Sequence, residues 1–123
     1  MSFETGMKKD EIFDSVIDSS RGLSMAAIWQ HLGVAVGGPT VPYEVRVTYF
    51  FEILDKLLRE GLIKFARNDV CLSGDINSQI EEIRQALPCN PDEDDLDGFG
   101  CWFLISAPAG VVWIFENGFE QWT

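Results

Sequence analysis

The stretch from Tyr43 to Leu72 constrains this chain most, because its apolar spacing admits one arrangement: a long amphipathic helix, a stop and a short hairpin. Val47, Phe50, Phe51, Leu54, Leu57 and Leu58 recur at helical spacing, while Arg46, Glu52, Asp55, Lys56 and Arg59 fall on other faces. Such a stripe has to be buried against other elements. Gly61 suits the left-handed residue that ends a helix, and Leu62 beyond it can pack back on the last turn. Leu62 to Ala66 and Val70 to Leu72 then read as strands, with Arg67, Asn68 and Asp69 as their turn.

Ahead of this unit, Ile12, Phe13, Val16 and Ile17 share one face of a helix expected over Lys8 to Ser19. Ser24 stands at the N-cap position of a second helix carrying Met25, Ile28, Trp29 and Leu32, which Gly33 is expected to close. The segment Val34 to Pro42, with Gly37, Gly38, Pro39 and Pro42, reads as a loop. Its glycines do not make a phosphate loop, since no Gly-Lys-Ser or Gly-Lys-Thr follows. Two helices, a loop, a longer helix and a hairpin follow the order of a winged-helix unit.

Beyond the hairpin, Ile76, Ile80, Ile83 and Leu87 mark a fourth helix, started at Gly74 and Asp75 or at Ser78 with Glu81, and stopped by Pro88. Cys101 to Ser106 and Gly110 to Phe115 read as two strands joined by Ala107, Pro108 and Ala109, apolar on both faces and so either enclosed in the core or partly exposed at an interface. Asn117 and Gly118 mark a tight turn before a last short strand with Phe119 and Trp122. The expected fold class is α+β: a winged-helix-like three-helix unit with its hairpin (1–73), then a fourth helix, an acidic loop and a C-terminal antiparallel hairpin or small sheet (74–123). At 123 residues and 46% hydrophobic, the chain suits one domain over 1–123.

Charge carries most of the functional information. Twenty acidic residues against nine basic give a net charge of −11. Residues 1–70 hold eight Lys or Arg and ten Asp or Glu, whereas residues 71–123 hold one and ten, so the C-terminal half carries −9. Such a surface repels phosphates and membrane headgroups and speeds encounter with a basic protein, and the plainer alternative is that the charge serves only to keep a cytosolic protein soluble. No apolar run is long enough to span a bilayer, and the N-terminus lacks the pattern of a signal peptide, which sets the expected compartment as the cytoplasm.

Catalytic and metal chemistry find little purchase. His31 is the sole histidine, and Cys71, Cys89 and Cys101 are widely spaced without a CxxC pair, so we expect buried free thiols and no cofactor or metal. The acidic run Asp92, Glu93, Asp94, Asp95 and Asp97 tempts a calcium reading, but the best EF-hand alignment places Leu104 where the bidentate glutamate must stand. The run reads instead as a solvated loop or a docking surface for basic side chains. Trp102, Trp113 and Trp122 add the residue type most enriched at binding hot spots, set against the plainer role of covering a small sheet.

Several pieces taken together resemble a family of small acidic proteobacterial proteins known as domain of unknown function 596. They are Leu23-Ser24 with Ile28-Trp29, Leu57-Leu58-Arg59-Glu60-Gly61 before Ile63-Lys64, Gln79-Ile80, Asp97-Gly98 before Trp102-Phe103, and Pro108 with Gly110, Val112 and Trp113. The resemblance implies a link, for some members, to toxin and immunity loci, including contact-dependent growth inhibition, and it carries over no catalytic residue. The expected function is that of a non-enzymatic immunity protein binding a basic, nuclease-type toxin, with Asp92, Glu93, Asp94, Asp95, Asp97, Trp102, Trp113 and Trp122 as partner-binding residues. The alternatives are a winged-helix regulator reading DNA through Tyr43, Glu44, Arg46, Val47 and Thr48 with a wing at Arg67, or a module for protein contacts alone. Net charge makes nucleic acid the weaker partner, and a homodimer through the aromatic hairpin is compatible with the pattern.

Overall fold

The computed structural model describes residues 8–38, 41–90, 92, 96 and 100–123. Three helices come first: α1 (Lys9–Ser20), α2 (Met25–Ala35) and α3 (Tyr43–Arg59). The hairpin of β1 (Ile63–Arg67) and β2 (Val70–Cys71) follows, then α4 (Ile76–Ala86), a short π turn (Trp102–Ser106), and the strands β3 (Gly110–Ile114) and β4 (Glu120–Trp122). The fold is α+β, with helices leading into a four-stranded antiparallel sheet of order β2-β1-β3-β4. Among the described residues no helix is long and apolar enough to cross a membrane.

The long helix buries the stripe that its spacing dictates, with Phe50, Phe51, Ile53, Leu54 and Leu57 in the core. It ends at Gly61, whose φ of +73° lets Leu62 N–H return to Leu57 O at 2.9 Å. Asn68 and Asp69, both at positive φ, make the two-residue turn between β1 and β2. Asp75 caps α4 by accepting the Ser78 backbone N–H at 2.7 Å. That bond lowers the Asp75 carboxyl below its ordinary value.

The sheet ties the ends of the chain together. In β1 and β3, Ile63 pairs with Trp113, Lys64 with Val112, Phe65 with Val111 and Ala66 with Gly110. Alternation puts Ile63, Phe65, Val111 and Trp113 in one core with the helices, where Trp29 meets the edge of Phe50 at 5.2 Å between ring centroids. Trp113 also reaches across the chain, its Nε1–H donating to Leu23 O at 2.7 Å.

Three expectations need correction. Cys101 to Ser106 is not a strand: Ala107 N–H bonds to Trp102 O at 2.8 Å and closes a π turn, and β3 takes β1 and β4 as partners instead. A short run that is apolar on every face has no period to separate strand from helical turn. Gly33 does not close α2, which continues to Ala35; a Cβ there would lie 2.5 Å from Arg46 Nη2, so the glycine makes room for that guanidinium. The thiols are not buried as expected: Cys89 is exposed, and Cys71 and Cys101 are partly so.

Two stability outcomes follow from the helix ends. Gly61→Ala, with open space around the site but a left-handed backbone, costs about 1–2 kcal/mol in chemical denaturation. Asp75→Ala lowers the melting temperature at neutral pH. Because the folded-state pKa of Asp75 is depressed, its contribution is complete above the ordinary carboxylate range and fades as pH falls through the lowered value. The gap between wild type and Asp75→Ala therefore narrows below about pH 4 in thermal melts.

Candidate protein-binding surface

Most cations among the described residues are matched to carboxylates. Lys9 pairs with Glu52, Lys56 with Glu60, Arg59 with Asp55, Lys64 with Glu120, Arg67 with Glu82 and Arg84 with Glu81. The hydrogen bonds that Lys9 donates to Glu52 and Lys64 to Glu120 hold both lysines above the ordinary lysine range, so both stay charged. Arg46 lies over the Trp29 ring, 4.0 Å from its centroid, with Nη2 donating to Trp29 O at 3.0 Å. These pairs add little stability individually. Their consequence is electrostatic: with most of the described cations already paired, the net charge of −11 is left as a negative field.

Of the acidic run, Asp92 is exposed and its backbone N–H donates to Asn90 Oδ1 at 3.0 Å. Glu93, Asp94, Asp95 and Asp97 lie outside the described residues. Leu96, which precedes Asp97 in the sequence, is fully buried and belongs to the core.

The tryptophans divide by burial. Trp102 is 2% exposed and Trp113 is 0% exposed, which places both in the core and removes them as anchors for a partner in this conformation. Trp122 is 43% exposed. It stands opposite Val112 on the outer face of the sheet, and with Lys64, the other cross-strand neighbour of Val112, it covers that buried valine. Trp122 is thus half lid and half surface.

Three further features stand apart from the predicted site residues. Leu104 and Ile105 stand in solvent on the π turn. An open groove of about 1010 Å³ runs past Arg21, Leu62, Phe115 and Phe119, with the two phenylalanine rings 6.0 Å apart. His31 Nδ1 lies 2.9 Å from the Oγ of the fully buried Ser20 and 3.2 Å from that of Ser19, a link between α1 and α2. The two-faced apolarity of the segment holding Leu104 and Ile105 was the one signal for exposed apolar surface. The groove and the serine contacts join residues far apart in sequence and left no local pattern.

A family model described as a protein of unknown function, DUF596, matches residues 58–123, just over half of the chain. The chain belongs to this family. The matched segment begins at the end of α3 and takes in the whole sheet, α4, the acidic run and the π turn, so it contains Trp122 and the exposed Leu104 and Ile105. Among solved structures, an uncharacterized protein conserved in bacteria, from Neisseria meningitidis, is similar over 93% of this chain and 88% of its own, with a TM-score of 0.78 and 22% identity. That likeness shows a shared fold. No curated protein matches the chain.

The burial pattern separates the tryptophans in a denaturation experiment. Trp102→Ala costs about 3–5 kcal/mol through the cavity it leaves, whereas Trp122→Ala costs about 1–2 kcal/mol through partial uncovering of Val112. Equal losses would contradict this assignment of core and surface.

Proposed function

We propose that this protein is a non-enzymatic acidic binding protein that neutralises a cognate basic, nuclease-type bacterial toxin, as in contact-dependent growth inhibition. The observation that carries the reading is the uneven charge: −9 of the net −11 falls in residues 71–123, where no lysine or arginine follows Arg84. A toxin that cuts nucleic acid holds phosphates in a basic cleft, and a protein presenting carboxylates can occupy or cover that cleft. Long-range attraction raises the association rate, and desolvated contacts at the interface slow dissociation. Asp92, Glu93, Asp94, Asp95 and Asp97 are the acids assigned to steering. We take the protein to act in the cytoplasm, where such a toxin would arrive.

The DNA-reading alternative draws support from the order of three helices and a hairpin. Its candidate reading face is partly occupied within the chain, however: Tyr43 Oη–H donates to Pro88 O at 2.9 Å, and Arg46 is stacked on Trp29. An enzymatic role gains no support from Ser20, whose hydroxyl lies beside His31 but is sealed from substrate.

The test is co-expression with the product of each neighbouring open reading frame that encodes a basic protein, scored by growth rescue, together with a salt titration of the recovered complex. The reading expects rescue from one such product and an affinity that falls as salt rises. Replacing the five acids by Asn and Gln is expected to slow association at low salt by roughly tenfold or more and to flatten the salt dependence. Unchanged affinity and salt dependence in that variant would overturn the mechanism, and recovery of DNA with no protein partner would favour the regulator.

A further inference from the structure

Leu104 and Ile105 are 77% and 81% exposed, among the highest values for large apolar side chains of the described residues. Single exposed aliphatics are ordinary, but two consecutive ones on a fixed turn are a different matter. The turn is fixed from both sides. Phe103 N–H bonds to Gly100 O at 3.0 Å, and Ala107 N–H bonds to Trp102 O at 2.8 Å. The two side chains that precede the pair point into the core: Trp102 is buried, and the Phe103 ring lies 5.1 Å from Trp102, 6.1 Å from Phe50 and 6.4 Å from Trp29. An aromatic base thus holds an aliphatic knob in water, and little conformational entropy remains to be lost when the knob is covered.

The charge around the knob in sequence selects what covers it. The acidic run ends at Asp97, Asp92 is exposed, and Glu116 and Glu120 are the only charged residues after Gly98. A second copy of this chain would bring the same negative charge to the contact, so like-charge repulsion disfavours it. We propose that Leu104 and Ile105 form the apolar anchor of the interface and seat in an apolar pocket bordered by Lys and Arg on the basic partner. This inference rests on the toxin-neutralising reading and divides the labour within it: carboxylates govern association, and the Leu104–Ile105 knob governs dissociation.

The probe is the basic product of a neighbouring open reading frame, purified in a catalytically disabled form and immobilised for binding kinetics at several salt concentrations. Wild type is compared with Leu104→Ser/Ile105→Ser, with the five-acid variant, and with Val34→Ser, an exposed aliphatic on α2 that serves as control. The anchor predicts that the double variant melts with wild type, dissociates roughly 30-fold faster or more, and keeps the wild-type salt dependence, while Val34→Ser binds as wild type. Should the double variant melt lower, Leu104→Lys alone supplies the reading, since a cation facing a basic pocket gives the same acceleration. Salt-dependent binding of wild type with unchanged dissociation of the Leu104 and Ile105 variants would overturn the anchor and leave the function standing. Failure of wild type to bind any basic product would overturn both. A concentration-dependent dimer in sedimentation that the double variant abolishes would assign the knob to a second copy and overturn the proposal.

Discussion

The antiparallel ladder between β1 and β3 is the contact on which the structure depends. It joins residues 63–66, at the end of the helical part, to residues 110–113, close to the C-terminus. Without it, Phe65 and Val111 would lose each other as neighbours, β4 would have no sheet to extend, and the inner faces of both strands would have no reason to meet the helices. Each of the large side chains on that face contributes about 1.5–3 kcal/mol when removed from water. Non-local pairing of this kind is costly in loop closure, and the apolar face it completes is what offsets that cost.

That ladder also decides which residues remain for recognition. A chain of this size has few large aromatics to distribute, and Trp29, Trp102 and Trp113 are all in one core with Phe50 and Phe65. What is left at the surface is charge, the half-exposed Trp122, the Phe115–Phe119 groove and the aliphatic pair on the π turn. The matched family segment, residues 58–123, supplies the sheet and these surface features, while much of the apolar wall behind the sheet comes from α1, α2 and α3 outside it. The likeness of fold to the solved Neisseria structure, over 93% of this chain, extends beyond the matched segment.

Where period and punctuation coincide, the sequence was legible. The α3 stripe, the stop at Gly61, the β1–β2 turn at Asn68 and Asp69 and the turn at Asn117 and Gly118 are all local devices, and they lie where spacing places them. Cys101 to Ser106 was not legible because a hexamer with five consecutive apolar residues has no preferred period, and its outcome depends on Trp29 and Phe50 far upstream. Gly33 looked like a helix stop because nothing nearby reveals that Arg46, on another helix, needs the space above it. The tryptophans show the same limit from the other side: composition marks them as hot-spot residues, and only the sheet register tells that Trp113 faces inward while Trp122 lies on the outer face. Charge asymmetry needed no fold at all, which is why it carries the functional reading.

Native-state hydrogen exchange tests most directly whether the ladder joins the whole chain into one cooperative unit. The account predicts that amides of 63–66 and 110–113 exchange as slowly as those of 50–57 in α3, and that denaturant shifts all three groups together, since they open only by global unfolding. If residues 58–123 opened as a block while 50–57 stayed protected, the sheet and the helices would be separate units and the shared core described above would be wrong.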